Sequence, residues 1–120
     1  VAGRTGAAII DCLGRWRFLG NDELALHIGI EHALRAGGLD PRREVRLNDH
    51  DRIDFLVGVV GIEVKVAGSI GPVARQLRRY AESPMIDELI LVTTRVQLTQ
   101  VPTTGLKVPL TVLPFLHGIV

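Results

Sequence analysis

Gly58 stands near the middle of the apolar run RIDFLVGVVGIEVK, Arg52 to Lys65, and no other position restricts the fold as much. A two-residue type II′ turn wants glycine at its first central position, so Gly58-Val59 predicts a tight β-hairpin. The turn then fixes the register. Val57 faces Val60, Leu56 faces Gly61, Phe55 faces Ile62, Asp54 faces Glu63, Ile53 faces Val64 and Arg52 faces Lys65. Strand side chains alternate between faces. One face is therefore expected to hold Ile53, Phe55, Val57, Val60, Ile62 and Val64, and the other Arg52, Asp54, Glu63 and Lys65.

This register sets two carboxylates opposite each other, which destabilises an antiparallel pair unless something compensates. A shared proton, a neighbouring cation or a bound metal would do so. Opposed residues have β-carbons roughly 4.5–5.5 Å apart. Two carboxylates at that spacing can grip a hard divalent cation, which binds oxygen and keeps waters for itself and a phosphate. Lys65 lies on the same face, two residues beyond Glu63. A solvated strand face carries Asp, Glu and Lys just as readily, so the pattern alone does not decide between the two.

The remaining elements are read from periodicity and end signals. Gly3 to Gly20 carries Ile9, Leu13, Trp16 and Phe18 at near-helical spacing. A second helix follows, with Asn21 as N-cap, Asp22 and Glu23 in its first turn, and Gly37-Gly38 as its stop. Leu24, Ile28 and Leu34 are its expected apolar stripe. Arg43 to Leu47 reads as a strand and Asn48 to Asp51 as a turn. After the hairpin, GPVARQLRRYAES reads as a helix with Pro72 in its first turn. Asp87 to Thr94 is a buried strand, and Lys107 to Phe115 an edge strand, since Pro109 lacks a ladder donor. The expected class is α/β: a mixed central β-sheet flanked by helices, in the order α-β-β-β-α-β. One domain is expected, with residues 1–20 as a helical extension, 21–94 as the core, and 95–120 as a last strand and dimer surface.

Composition narrows the class further. The chain has 120 residues, 47% hydrophobic and 22% charged, with a net charge of +1. That is globular, and no global field advertises a polyanionic partner. Locally, Val64 to Ala81 contains Lys65, Arg75, Arg78 and Arg79 and no acid. Cys12 is the single cysteine, so no intrachain disulfide forms. No window is apolar enough to span a membrane and none has a signal-peptide pattern, so the expectation is a cytoplasmic protein. LPFLHGIV at the end is a packing segment or a homodimer surface.

With IDFLV, IEVKV and the QLRRY of the next helix in place, the sequence resembles the PD-(D/E)XK nuclease superfamily. IDFLV resembles its metal-carboxylate strand and IEVKV its E-x-K strand. QLRRY resembles the Q-x-x-x-Y element of the RecB-like branch. Ile53 stands where the family name has proline. The resemblance spans Asn21 to about Thr94 and implies a restriction-endonuclease-like core. It implies a metal-dependent DNA endonuclease, a Holliday junction resolvase, or a non-catalytic DNA-binding or assembly module on the same fold. Asp54, Glu63 and the Val64 carbonyl would hold Mg²⁺ or Mn²⁺, Glu31 would reach the metal directly or through water, and Lys65 would orient the attacking water. Gln76 would brace the site or touch phosphate. Arg75, Arg78, Arg79, Tyr80 and Arg52 would contact DNA, and a homodimer would serve two strands. A surface glutamine, a capped core tyrosine and a solvated arginine face explain the helix residues equally well.

Other groupings are weaker. Glu23, His27 and Glu31 share a helix face at i, i+4 spacing, without a zinc pattern. His27 is expected beside Glu31 or half-buried. Asp49 to Asp51 is expected to be a solvated turn. A Walker A motif, a G-x-S-x-G elbow and a Cys/His zinc set are all absent from the sequence.

Overall fold

The computed structural model describes residues 2–16 and 22–115. The elements in order are α1 (Ala2–Gly14), α2 (Glu23–Ala36), β1 (Arg42–Arg46), β2 (Arg52–Val57), β3 (Val60–Lys65), α3 (Ile70–Ala81), β4 (Glu88–Thr93), a short 3-10 helix (Val96–Gln100) and β5 (Leu110–Pro114). The expected helical positions 17–20, the Asn21 cap and the tail 116–120 lie outside the described residues. Asp22 is the N-cap of α2, and its side chain accepts from the Leu24 N–H.

The five strands form one open mixed sheet in chain order. β1, β2 and β3 are antiparallel neighbours, and β4 and β5 add parallel to β3. Parallel neighbours need a crossover. α3 supplies it between β3 and β4, and the 3-10 helix with its loop supplies it between β4 and β5. The sheet is covered on both faces. Ile9, Leu13, Leu26, Ile30 and Leu34 of α1 and α2 pack on Phe55, Val57, Ile62, Val64, Ile90 and Val92. Val73, Leu77 and Tyr80 of α3, with Leu98, pack on Leu56, Leu89 and Leu91. Leu89 to Val92 is a continuous apolar run because its alternating side chains feed both cores.

The hairpin has the expected turn and starting register. Gly58 has φ +60° and Val59 does not enter positive φ, the II′ pattern. Val57 pairs with Val60, Leu56 with Gly61 and Phe55 with Ile62. Beyond Phe55 the structure departs from the expected ladder. Ile53 packs in the α3-side core while Phe55 packs in the α1/α2-side core. In a regular strand both would share a face. A matching irregularity lies across the sheet. Glu44 adopts φ +50°, a left-handed conformation rare for a residue with a side chain, and β1 pairs with β2 on either side of it, at Arg43–Phe55 and Val45–Ile53. The kink spans both strands at Glu44 and Asp54. Gly61 makes room for the displaced side chain, since a β-carbon there would lie 2.5 Å from Ile53 Cδ1.

The expected stripe on α2 is also corrected. Leu34 is buried, but Leu24 and Ile28 are 64% and 55% exposed. The buried side of α2 is Leu26, His27, Ile30, Ala33 and Leu34.

Candidate active site at the hairpin kink

The kink removes Asp54 from the regular ladder, and side chains take over its hydrogen bonds. The Val64 N–H donates to Asp54 Oδ2 at 2.8 Å, and the Asp54 N–H donates to Glu63 Oε1 at 3.3 Å. Each carboxylate therefore accepts from the opposite strand. The two acids are linked by this reciprocal exchange, and the direct Asp54–Glu63 pairing expected from the turn register is not among the β2–β3 pairs, which run from Phe55–Ile62 to Val57–Val60. Lys65 Nζ stands 3.3 Å from Glu63 Oε2. The Glu63 side chain is 5% exposed and that of Lys65 24%. The Asp54 side chain is 22% exposed. Solvent thus reaches the pair through Asp54 and Lys65.

Two buried acids at close range resist carrying two charges. Burial, with the neighbouring Asp54 charge second, pushes the Glu63 carboxyl up to about 8, against the pull of Lys65. Burial also raises Asp54, opposed by the Val64 N–H, by His27 and by Lys65. Tyr80 is 1% exposed, and its hydroxyl donates to the Arg52 carbonyl at 3.0 Å. Burial and the nearby Glu63 and Asp54 charges keep that phenol protonated well above the usual tyrosine range. Tyr80 is thus placed as a capped core aromatic on the Arg52 carbonyl, one of the readings the sequence leaves open.

His27 approaches Asp54 from α2. Its Nε2 lies 3.6 Å from Asp54 Oδ2, and its Nδ1 lies 3.4 Å from Arg43 Nη2. A guanidinium only donates, so Nδ1 is the acceptor and the neutral ring carries its proton on the nitrogen facing Asp54. The expectation set His27 near Glu31 or half-buried; His27 is 9% exposed, and Arg43 bridges it to Glu31, which accepts from Arg35 at 3.1 Å and from Arg43 at 3.5 Å. Glu31 is spent on two arginines and makes no contact with the carboxylate pair. Glu23, one turn before His27, adds a negative field at Asp54.

The remaining expected residues fall into separate places. Val64 takes part through its N–H. Gln76 and Arg75 line a cleft of about 480 Å³ beside Lys65, with Ser69 and Arg79. Arg78 is exposed outside it. Arg52 is exposed, with Nε 3.7 Å from Glu44 Oε1. Arg79 is bound by Asp51, a residue expected in a solvated turn but 6% exposed. No short-range signal marks the His27–Asp54 or Asp51–Arg79 contacts, because the partners are 27 and 28 residues apart in the chain.

An all-oxygen pair with carboxylate lone pairs to spare fits a hard divalent cation of the Mg²⁺ type, which takes one or two carboxylates and completes its shell elsewhere. Among the described residues no group of three or more His, Cys, Asp or Glu forms a metal site. The fit is therefore to Asp54 and Glu63 as a two-residue anchor. Comparisons with protein-family models, curated proteins and solved structures returned no match.

Proposed function

We propose that the chain is a metal-dependent nuclease of the PD-(D/E)XK type, with a restriction-endonuclease-like core running from α2 to β4. The observation that carries this is the reciprocal Asp54–Glu63 exchange with Lys65 at 3.3 Å from Glu63. Fold and site support it together. Helix, three strands, helix and strand follow in order, and the hairpin that bears the acids runs into the helix that bears Gln76.

Asp54 and Glu63 would hold Mg²⁺ or Mn²⁺, which supplies Lewis-acid polarisation of the phosphodiester. The chain's own groups prepare the site. The Val64 N–H fixes Asp54, and His27 Nε2 stands 3.6 Å from Asp54 Oδ2 without a hydrogen-bond partner among the described residues. The Asp54 N–H fixes Glu63. The Lys65 ammonium, partly exposed, donates to the attacking water or to a phosphate oxygen and balances the charge that builds up on it. Tyr80 holds the Arg52 carbonyl and keeps the start of β2 in place.

One observation favours a non-catalytic binding module. Lys65 and His27 already flank the pair, and one shared proton would neutralise the rest. Incubation with Mg²⁺ or Mn²⁺ and a panel of plasmid, linear duplex, single strand, flap and four-way junction decides between them. Cleavage of any member that is lost on chelation supports the nuclease. Binding without cleavage of any member under both metals supports the module.

A further inference from the structure

The cleft beside Lys65 lies between the end of β3 and α3. Among the described residues its polar lining is Lys65, Ser69, Arg75, Gln76 and Arg79, with no carboxylate. Three cations and no acid favour an anion. What sets this cleft apart from a solvated basic face is the state of Arg79. Its Nε lies 3.2 and 3.3 Å from the two Asp51 oxygens, and its Nη2 lies 3.2 Å from Oδ1. Its Nη1 makes no hydrogen bond among the described residues.

Asp51 is itself held. The Asn48 side chain accepts from the His50 and Asp51 N–H groups at 2.7 and 2.8 Å and donates to Asp51 Oδ2 at 3.1 Å. The Asp51 carbonyl accepts from the Leu47 N–H at 2.8 Å. A closed loop therefore grips one edge of the guanidinium and leaves Nη1 unspent; Arg79 lines this cleft and also a second one on the side of Asn48, His50, Asp51 and Glu82. A preorganised planar fork costs less conformational entropy per phosphate hydrogen bond than a free arginine.

We propose that this cleft is a phosphate-binding subsite and that Asp51 is the positioning residue that presents Arg79 to it. The subsite takes a phosphate of a nucleic-acid strand. It rests on the nuclease reading for that source but not for its anion chemistry. Lys65 belongs to both sites, so a phosphate in the cleft lies next to the carboxylate pair.

The test is binding of a labelled single-stranded oligonucleotide, with and without a 5′-phosphate, in EDTA, with inorganic phosphate as competitor. Asp51→Asn raises the net charge by one, so simple attraction would tighten binding. Positioning predicts the reverse, a loss of about tenfold, the worth of a charge-assisted hydrogen bond. Arg79→Lys keeps the charge and an Asp51 partner but loses the fork, and a similar loss is expected, along with loss of competition by phosphate. Preference for the 5′-phosphorylated strand assigns the subsite to a chain end, and equal binding assigns it to the backbone. Tighter or unchanged binding by folded Asp51→Asn overturns the proposal. If that variant does not fold, unchanged binding by Arg79→Lys overturns it. Cleavage plays no part here. An oligonucleotide bound but never cut sinks the nuclease reading alone, and cleavage with no effect of either variant sinks the subsite alone.

Discussion

Asp54 and Glu63 conflict with each other at short range, and the conflict makes a pH prediction. Burial, with the Asp54 charge second, pushes Glu63 up to about 8 in the fold, against about 4.5 for a glutamate in the unfolded chain. The folded chain thus binds the extra proton between those values. Its contribution is fully present below the unfolded value and is lost as pH rises toward 8. In chelator, wild-type stability is expected to fall across that window relative to Glu63→Gln, followed by thermal melts at several pH values. Parallel profiles would mean Glu63 is ionised throughout. At Lys65 the expected effect is kinetic. Lys65→Ala is expected to slow single-turnover cleavage by about 10²-fold or more, while DNA affinity changes far less. Equal losses in both would make Lys65 a phosphate contact only.

At the level of elements, the kink through Glu44 and Asp54 shapes the site. Glu44→Gly or Glu44→Asn is expected to keep the fold, because both residues accept positive φ, with relief of about 1 kcal/mol of left-handed strain. Glu44→Val is expected to destabilise, and a denaturant melt separates them. Gly61→Ala is expected to cost about 1–3 kcal/mol by crowding Ile53. On α2, Leu24→Glu and Ile28→Glu are expected to change stability by less than about 0.5 kcal/mol each, as exposed positions. A larger loss would restore the stripe that the sequence suggested. The hairpin was legible because Gly58 carries its turn in its own chemistry. The face switch of Ile53 was not, because it goes with a backbone angle at Glu44 in another strand. The α2 stripe misled because its apolar residues lie on two sides of the helix, and only contact with the sheet selects one. The acids and Lys65 were legible as a cluster because one hairpin carries all three. His27 and Asp51 were not, because their partners come from distant chain segments.

For the whole molecule, a sheet covered on both faces leaves the open ends of β2 and β3 as the place where charge is tolerated near the core. Among the described residues no helix is long and apolar enough to cross a membrane. A cation that binds the folded pair and not the unfolded chain raises the melting temperature, and more so where the carboxylates are ionised. Mg²⁺ or Mn²⁺ is therefore expected to stabilise the protein more at about pH 8.5 than at about pH 6. The most direct test of the account is a Mn²⁺ titration followed by electron paramagnetic resonance, on wild type, Asp54→Asn and Glu63→Gln, with DNA present. Saturable uptake by wild type that both substitutions abolish is the expected result. No uptake by wild type, or equal uptake by all three folded proteins, would contradict a cation held between the two acids.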